Sequence, residues 1–187
     1  VLPLNLSGSR LYLDIDKVPT KNTVVSFTGG IGWREEFLLE VVEQTVSRAN
    51  DIKFLFVCLT SKHMFSIEKI KEIAREKGIS NKISFFFNQP YNKVPHILKY
   101  SDIGLSLIPP EQKFIVSSPS KLVDYMSLGI PVICNREILE QNEIIQNAKA
   151  GTLVNYNSKE VSKAILNLVK KKDKMIEMGK RGKIWIN

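Results

Sequence analysis

The chain has 187 residues, 43% of them hydrophobic and 25% charged, with a formal net charge of +8. That balance belongs to a folded globular unit of about one domain and excludes a low-complexity or disordered chain. No apolar run approaches the roughly 20 residues that a bilayer-spanning helix needs, and the start V1-L-P-L-N-L-S-G-S-R10 has no charged segment leading into a long apolar one, so no signal peptide is expected.

Residues 1–22 show no sustained period and contain two prolines, which predicts an interdomain arm or linker ahead of a domain over 23–187. T23-V-V-S-F-T28 is a short β-type run ending in the glycine turn G29-G-I-G32. Glu35 to Ala49 then carries an apolar stripe at helical spacing. K53-F-L-F-V-C-L59 predicts a buried strand, and Ser66 to Gly78 a helix capped by Ser66. Strands at 82–87, 103–108, 130–134 and 151–154 alternate with helices at 93–100, after Pro119, at 137–148, at 158–170 capped by Ser158, and from about 172 to 185. Strands separated by helices of this length require right-handed crossovers and a parallel sheet. The expected fold is a doubly wound, Rossmann-like α/β domain. Cys58 and Cys134, each inside an apolar run, read as reduced core thiols of a cytoplasmic protein.

Two segments are suited to an anion at the carboxyl edge of such a sheet, where ligands of open α/β folds sit. In F27-T-G-G-I-G-W-R34, Gly29 and Gly30 let backbone N–H groups approach a phosphate, and Arg34 adds a forked donor. The spacing is neither G-x-G-x-x-G nor a Walker loop, and a tight β-to-α turn explains it equally well. The second segment is S117-S-P-S-K-L-V-D-Y-M-S-L-G-I-P-V132, expected to begin a helix with Ser118 as N-cap and Pro119 in the first position. Lys121 lies in the first turn, where the helix dipole disfavours a cation. A bound phosphate held by Ser118, Ser120, Lys121 and the helix-start amides removes that conflict. Asp124, three residues on, shares the face of Lys121 and is placed to accept hydrogen bonds from ribose hydroxyls. Phosphate donors followed by a sugar acceptor suggest a nucleotide. An ordinary capped helix with an exposed Lys–Asp pair fits the same residues.

These segments also carry a likeness. V94-P-H-I-L-K-Y-S-D-I-G-L-S-L-I108 followed by Pro109, then S118-P-S-K-L-V-D-Y-M-S-L-G-I-P-V-I133, A150-G-T-L-V154 and M178-G-K-R-G-K-I-W-I186 follow one another as in the C-terminal, nucleotide-sugar-binding half of GT-B glycosyltransferases. The chain resembles the large retaining family four, over roughly 23–187. The resemblance implies that Asp124 holds the ribose, that Lys121 and the amides of 118–120 hold the diphosphate, and that Gly29 and Gly30 lie under it. It also implies that the turn Phe87-Asn88-Gln89-Pro90 borders the base, with Asn88 and Pro90 the base-side residues. Three positions depart from the family pattern. Val116 stands where the family has the first glutamate of its Glu-x7-Glu motif, Gly30 stands for an arginine, and Asn88-Gln89 replaces a glycine. Glu111 is a candidate to meet the donor sugar in place of that glutamate.

On this resemblance the chain is expected to be an excised C-terminal domain. The missing N-terminal domain would bind a glycan or lipid-linked acceptor and supply a catalytic histidine, so no catalytic residue is assigned here. The whole enzyme would transfer a sugar from a nucleotide diphosphate, with UDP expected, in cell-surface polysaccharide or glycolipid synthesis. No cofactor is expected and no metal is implied. The competing reading is a non-catalytic α/β nucleotide- or anion-binding module. Between Lys159 and Lys183 there are nine Lys and Arg against three acids, which holds most of the net charge. This points to an anionic membrane surface at the inner face of the cell, or to a solvated helix face. A nucleic-acid partner is not expected, since no recognised binding motif accompanies the charge.

Overall fold

The computed structural model describes residues 20–30, 35–59, 64–116 and 119–186. Arg34, Ser118 and all but the last residues of the expected arm lie outside them, as does His63.

Six strands form one parallel sheet: β1 (Thr23–Gly30), β2 (Ile52–Leu59), β3 (Ile83–Phe87), β4 (Ile103–Ser106), β5 (Val132–Asn135) and β6 (Gly151–Val154). Their order is β3-β2-β1-β4-β5-β6, the doubly wound arrangement predicted from the alternation of strands and helices. Among the described residues, seven helices connect and flank them: α1 (Glu35–Val46), α2 (Met64–Glu76), α3 (Val94–Leu98), α4 (Ser120–Ser127), α5 (Leu139–Ala148), α6 (Ser158–Val169) and α7 (Lys172–Ile186).

Strand alternation sorts the core into two layers. On one face, Val25, Phe27, Phe54 and Phe56 pack beneath α1 and α6, whose Leu38, Leu39, Val42, Val161 and Ile165 are buried. On the other, Leu55, Val57, Val132 and Cys134 lie beneath α3, α4 and α5 through Leu98, Leu122, Tyr125, Met126 and Ile144. Both cysteines are buried and form no disulfide, as their apolar settings predicted. Burial pushes the Cys134 thiol far above its ordinary value, so it stays protonated.

Three helix starts differ from expectation. The α4 helix begins at Ser120 with Pro119 as its N-cap, and no side chain caps it. Proline supplies no donor but its carbonyl accepts from Leu122 N and Val123 N, so the turn closes one residue later than the sequence suggests. At α6 the cap is Asn157, whose Oδ1 accepts from the amides of Lys159 (3.0 Å) and Glu160 (3.2 Å). Ser158 is instead the first helical residue, and its hydroxyl accepts from Gln44 Nε2 on α1. The α2 helix starts at Met64, which places Ser66 inside it.

The last helix, α7, is seated by glycines. A Cβ on Gly179 would collide with the carbonyl oxygen of Gly129, and one on Gly182 would press on Ala150 and Met126 at 3.1–3.2 Å. Trp185 packs partly buried against the α4–α5 layer.

Candidate functional site

The sheet order creates a crevice. β1 pairs with β2 through Gly30, but with β4 only over Val25–Phe27. Beyond Phe27, β1 therefore has no strand on its β4 side. This is the point where the winding reverses, and the carboxyl edge there is where doubly wound folds receive ligands. The floor is Thr28, Gly29 and Gly30.

Two helices begin near this edge and their starts differ in charge. α1 carries Glu35 and Glu36 in its first turn, so its positive dipole end already has acidic partners. α4 has no acid in its first turn and has Lys121 there instead. The positive end of the α4 dipole thus has no acid of its own helix beside it.

The fold brings Lys121 onto Gly29. A Cβ on Gly29 would overlap Lys121 Cε and lie 3.0 Å from Nζ, so the glycine leaves the space that the ammonium arm fills. Gly29 also has φ +120°, a backbone geometry that favours glycine. Its neighbour Gly30 is exposed, and a Cβ there would meet nothing within 4 Å. The position where the family pattern has an arginine is thus open space.

One turn further along α4, Asp124 is half-buried behind Lys121. Burial is the main influence on it and raises its carboxyl to about 6; a hydrogen bond from Tyr91 and the charge of Lys121 pull in the opposite direction. The Tyr91 hydroxyl donates to Asp124 Oδ1 at 3.4 Å. Sequence reasoning missed Tyr91. Its signal was position alone, one residue past the Asn88–Pro90 turn, with its side chain 56% exposed.

The Asn88–Pro90 turn sits at the end of β3, where Asn88 N donates to Cys58 O at 3.0 Å. Asn88 has φ +51°, in the left-handed region. After glycine, asparagine is among the residues that enter this region most readily, so the replacement of a family glycine by Asn88 preserves the turn. Gln89 folds back to donate to Phe87 O at 2.9 Å, and Pro90 is exposed.

Side chains behind the edge hold α4 in place. Tyr125 is fully buried, donates to Ser26 O on β1 at 3.1 Å, and lies flat over Gly104, where any Cβ would strike its ring. Asp102, inside the S-D-I segment, fastens the far end of the same strands: its Oδ2 accepts from Val24 N at 2.8 Å, and its own N–H donates to Val24 O at 2.7 Å. Asn135 at the end of β5 exchanges two 2.9 Å hydrogen bonds with the backbone of Ile108, pinning the loop between β4 and α4.

The remaining sequence candidates fall apart from this cluster or outside it. Glu111 pairs with Lys113 at 2.8 Å on the exposed part of that loop, and Val116 is 78% exposed. Ser120 is exposed at the first position of α4. Among the described residues, no group of three or more His, Cys, Asp or Glu is gathered so as to hold a metal ion.

The family described as "Glycosyl transferases group 1" matches residues 36–185. No curated protein matches the sequence significantly. Among solved structures, the C-terminal domain of a glycosyl transferase group 1 family protein, LpcC of Francisella tularensis, superposes with a TM-score of 0.70 at 16% identity, covering 97% of this chain and 90% of that one. S. aureus TarM, in a structure containing UDP, gives 0.72 at 18% identity over 91% of this chain and 33% of TarM. Anabaena HepE, in complex with UDP-glucose, gives 0.73 at 14% identity over 88% of this chain and 44% of HepE. The chain therefore spans a third to under half the length of the latter two proteins. With most of its length matched by the family and its winding shared with these domains, the chain belongs to the group 1 glycosyl transferases.

Proposed function

We propose that this chain is the donor-binding domain of a glycosyltransferase that moves a sugar from a nucleoside diphosphate, UDP in the first instance, to a glycan or lipid-linked acceptor with retention. The observation that carries the reading is the seating of Lys121 against Gly29 at the β1–β4 crevice, with Asp124 one helical turn deeper. The ammonium and the uncapped start of α4 would meet the diphosphate, and Gly29 and Gly30 would let its oxygens approach the backbone. Asp124 would accept from the ribose hydroxyls, with the base lying toward Asn88 and Pro90. Three residues of helix, about 4.5 Å of rise, separate the proposed phosphate grip from the proposed sugar grip.

The chemistry assigned to these residues is electrostatic. As the bond from the anomeric carbon to the diphosphate breaks, negative charge grows on the departing oxygen, and a fixed cation beside it lowers that barrier without rearranging. Acceptor binding and the proton-handling group would come from a further domain, since the match spans only 33% of TarM and 44% of HepE. Turnover by this chain alone is expected to be negligible. A cytoplasmic location is part of the proposal, in keeping with two buried cysteines that form no disulfide.

Titration calorimetry with UDP is the direct test. Binding is expected, and Lys121→Ala should weaken it by about 30-fold, the worth of one hydrogen bond to a charged group at roughly 2 kcal/mol. Absence of heat at millimolar UDP for the unsubstituted chain would remove the proposal.

A further inference from the structure

We infer that the outward face of α7, with the lysines at the α6–α7 junction, is a docking surface for an anionic lipid bilayer. Along α7 the residues at every fourth position are Lys172, Ile176, Lys180 and Ile184, a row that climbs one side of the helix. Ile176 is 54% exposed and Ile184 is 74% exposed. A single exposed isoleucine is commonplace, but two in one row alternating with lysines make an apolar strip inside a basic field.

The surroundings strengthen the field. Lys170, Lys171 and Lys174 are exposed where α6 passes into α7. Of the acids on α7, Glu177 is engaged by Arg181 at 2.6 Å, which leaves Asp173 as the opposing charge near the start. A groove of about 160 Å³ runs beside the strip, lined by Gly129, Pro131, Met175, Ile176, Lys180 and Lys183. Lys180 and Lys183 give this lining its charge, and Pro131 and Ile176 its apolar surface.

The strip cannot turn inward. The opposite side of α7 is fixed by buried Met175, Met178 and Ile186 and by the close approaches of Gly179 and Gly182. A helix held on one face and presenting lysines with aliphatic side chains on the other has the charge and the apolar area to lie in a bilayer interface. Among the described residues no helix is long and apolar enough to cross a membrane, so the attachment proposed is peripheral. The isoleucines favour lipid over nucleic acid: on a phosphate backbone they gain nothing, whereas at the headgroup boundary they leave water.

The test is vesicle sedimentation of the chain. Vesicles of phosphatidylcholine with about one-third phosphatidylglycerol should pellet it at low salt, phosphatidylcholine alone should not, and about 0.5 M salt should release it. The variant Lys172→Glu/Lys180→Glu should lose about tenfold or more in partitioning. Ile176→Ser/Ile184→Ser, which leaves the charge unchanged, should lose several-fold and so isolate the apolar part. Neither variant should alter UDP titration, so the failure of this surface and the failure of the nucleotide reading are separable.

Three results would overturn it. One is equal pelleting with both vesicle types. Another is a shift of an RNA oligonucleotide that the isoleucine variant leaves intact, with no vesicle binding. The third is self-association that the isoleucine variant abolishes, again without vesicle binding, which would give the face to a second copy of the chain.

Discussion

Two glycines in this protein do opposite things with the same missing side chain. At Gly179 the absent Cβ lets α7 lie directly on the carbonyl of Gly129, so the space is consumed by backbone and the gain is packing. At Gly29 the space is taken by the flexible end of Lys121, and the backbone itself adopts φ +120°. The first place is a seam where helix backbone meets turn backbone. The second is an open crevice where a charged arm can yield to a ligand. A glycine read from sequence alone does not say which it is; the neighbour that fills its space does.

Substitutions can break that contrast. The largest effect is expected at the seam. Gly179→Val must push α7 off the α4–β5 turn, with a loss of about 3 kcal/mol measured as the denaturation midpoint at unchanged m-value, while the folded fraction keeps its UDP affinity. At the crevice the balance should reverse. Gly29→Ala combines backbone strain with displacement of Lys121, so it should reproduce most of the roughly 30-fold loss of UDP affinity of Lys121→Ala. It should also destabilise the fold by about 1 kcal/mol. If Gly29→Ala left UDP binding intact, the lysine and the glycine would not share a ligand.

Asp124 sharpens the comparison because its stability and its proposed binding run in opposite directions with pH. Its carboxyl is raised to about 6, mainly by burial. The folded state therefore binds a proton more readily than the unfolded state, so the stabilising contribution is full below about pH 4 and is lost as pH rises through about 6. Asp124→Asn should then be more stable than the unsubstituted chain at pH 7.5, by about 1–2 kcal/mol in chemical denaturation. UDP affinity should move the other way, since only the carboxylate accepts two ribose hydroxyls. Between pH 7.5 and pH 5 the unsubstituted chain should lose about tenfold more affinity than Asp124→Asn, a difference that cancels the titration of the terminal phosphate itself.

The smallest expected effect is a gain. Gly30 has ordinary backbone and open space beyond it, at the position where the family pattern carries an arginine. Gly30→Arg should tighten UDP binding by about threefold to tenfold at low salt, with little change in stability. No change would mean that the diphosphate does not pass over β1.

Much of this was legible before the structure. The six strands and their parallel pairing followed from alternation of apolar runs with helical stripes, because a buried parallel strand has no solvent face and the crossovers are long. β6 occupies the residues expected and α7 extends the expected range by one. Boundaries set by side-chain chemistry were less legible. Ser158 and Asn157 are both good caps, and only the hydrogen bonds to Lys159 and Glu160 decide between them. Pro119 closes α4 through its carbonyl, which no residue preference announces.

What the sequence determined by itself was the kind of fold and the chemical character of its edge, because periodicity and residue type act locally along the chain. What the tertiary structure alone decided was adjacency. Lys121 meets Gly29 across 92 positions of sequence only because β1 and β4 are neighbours at the reversal of the sheet. Tyr91 reaches Asp124 for the same reason: strand order, not spacing, places the ends of β1 and β3 and the start of α4 around one crevice.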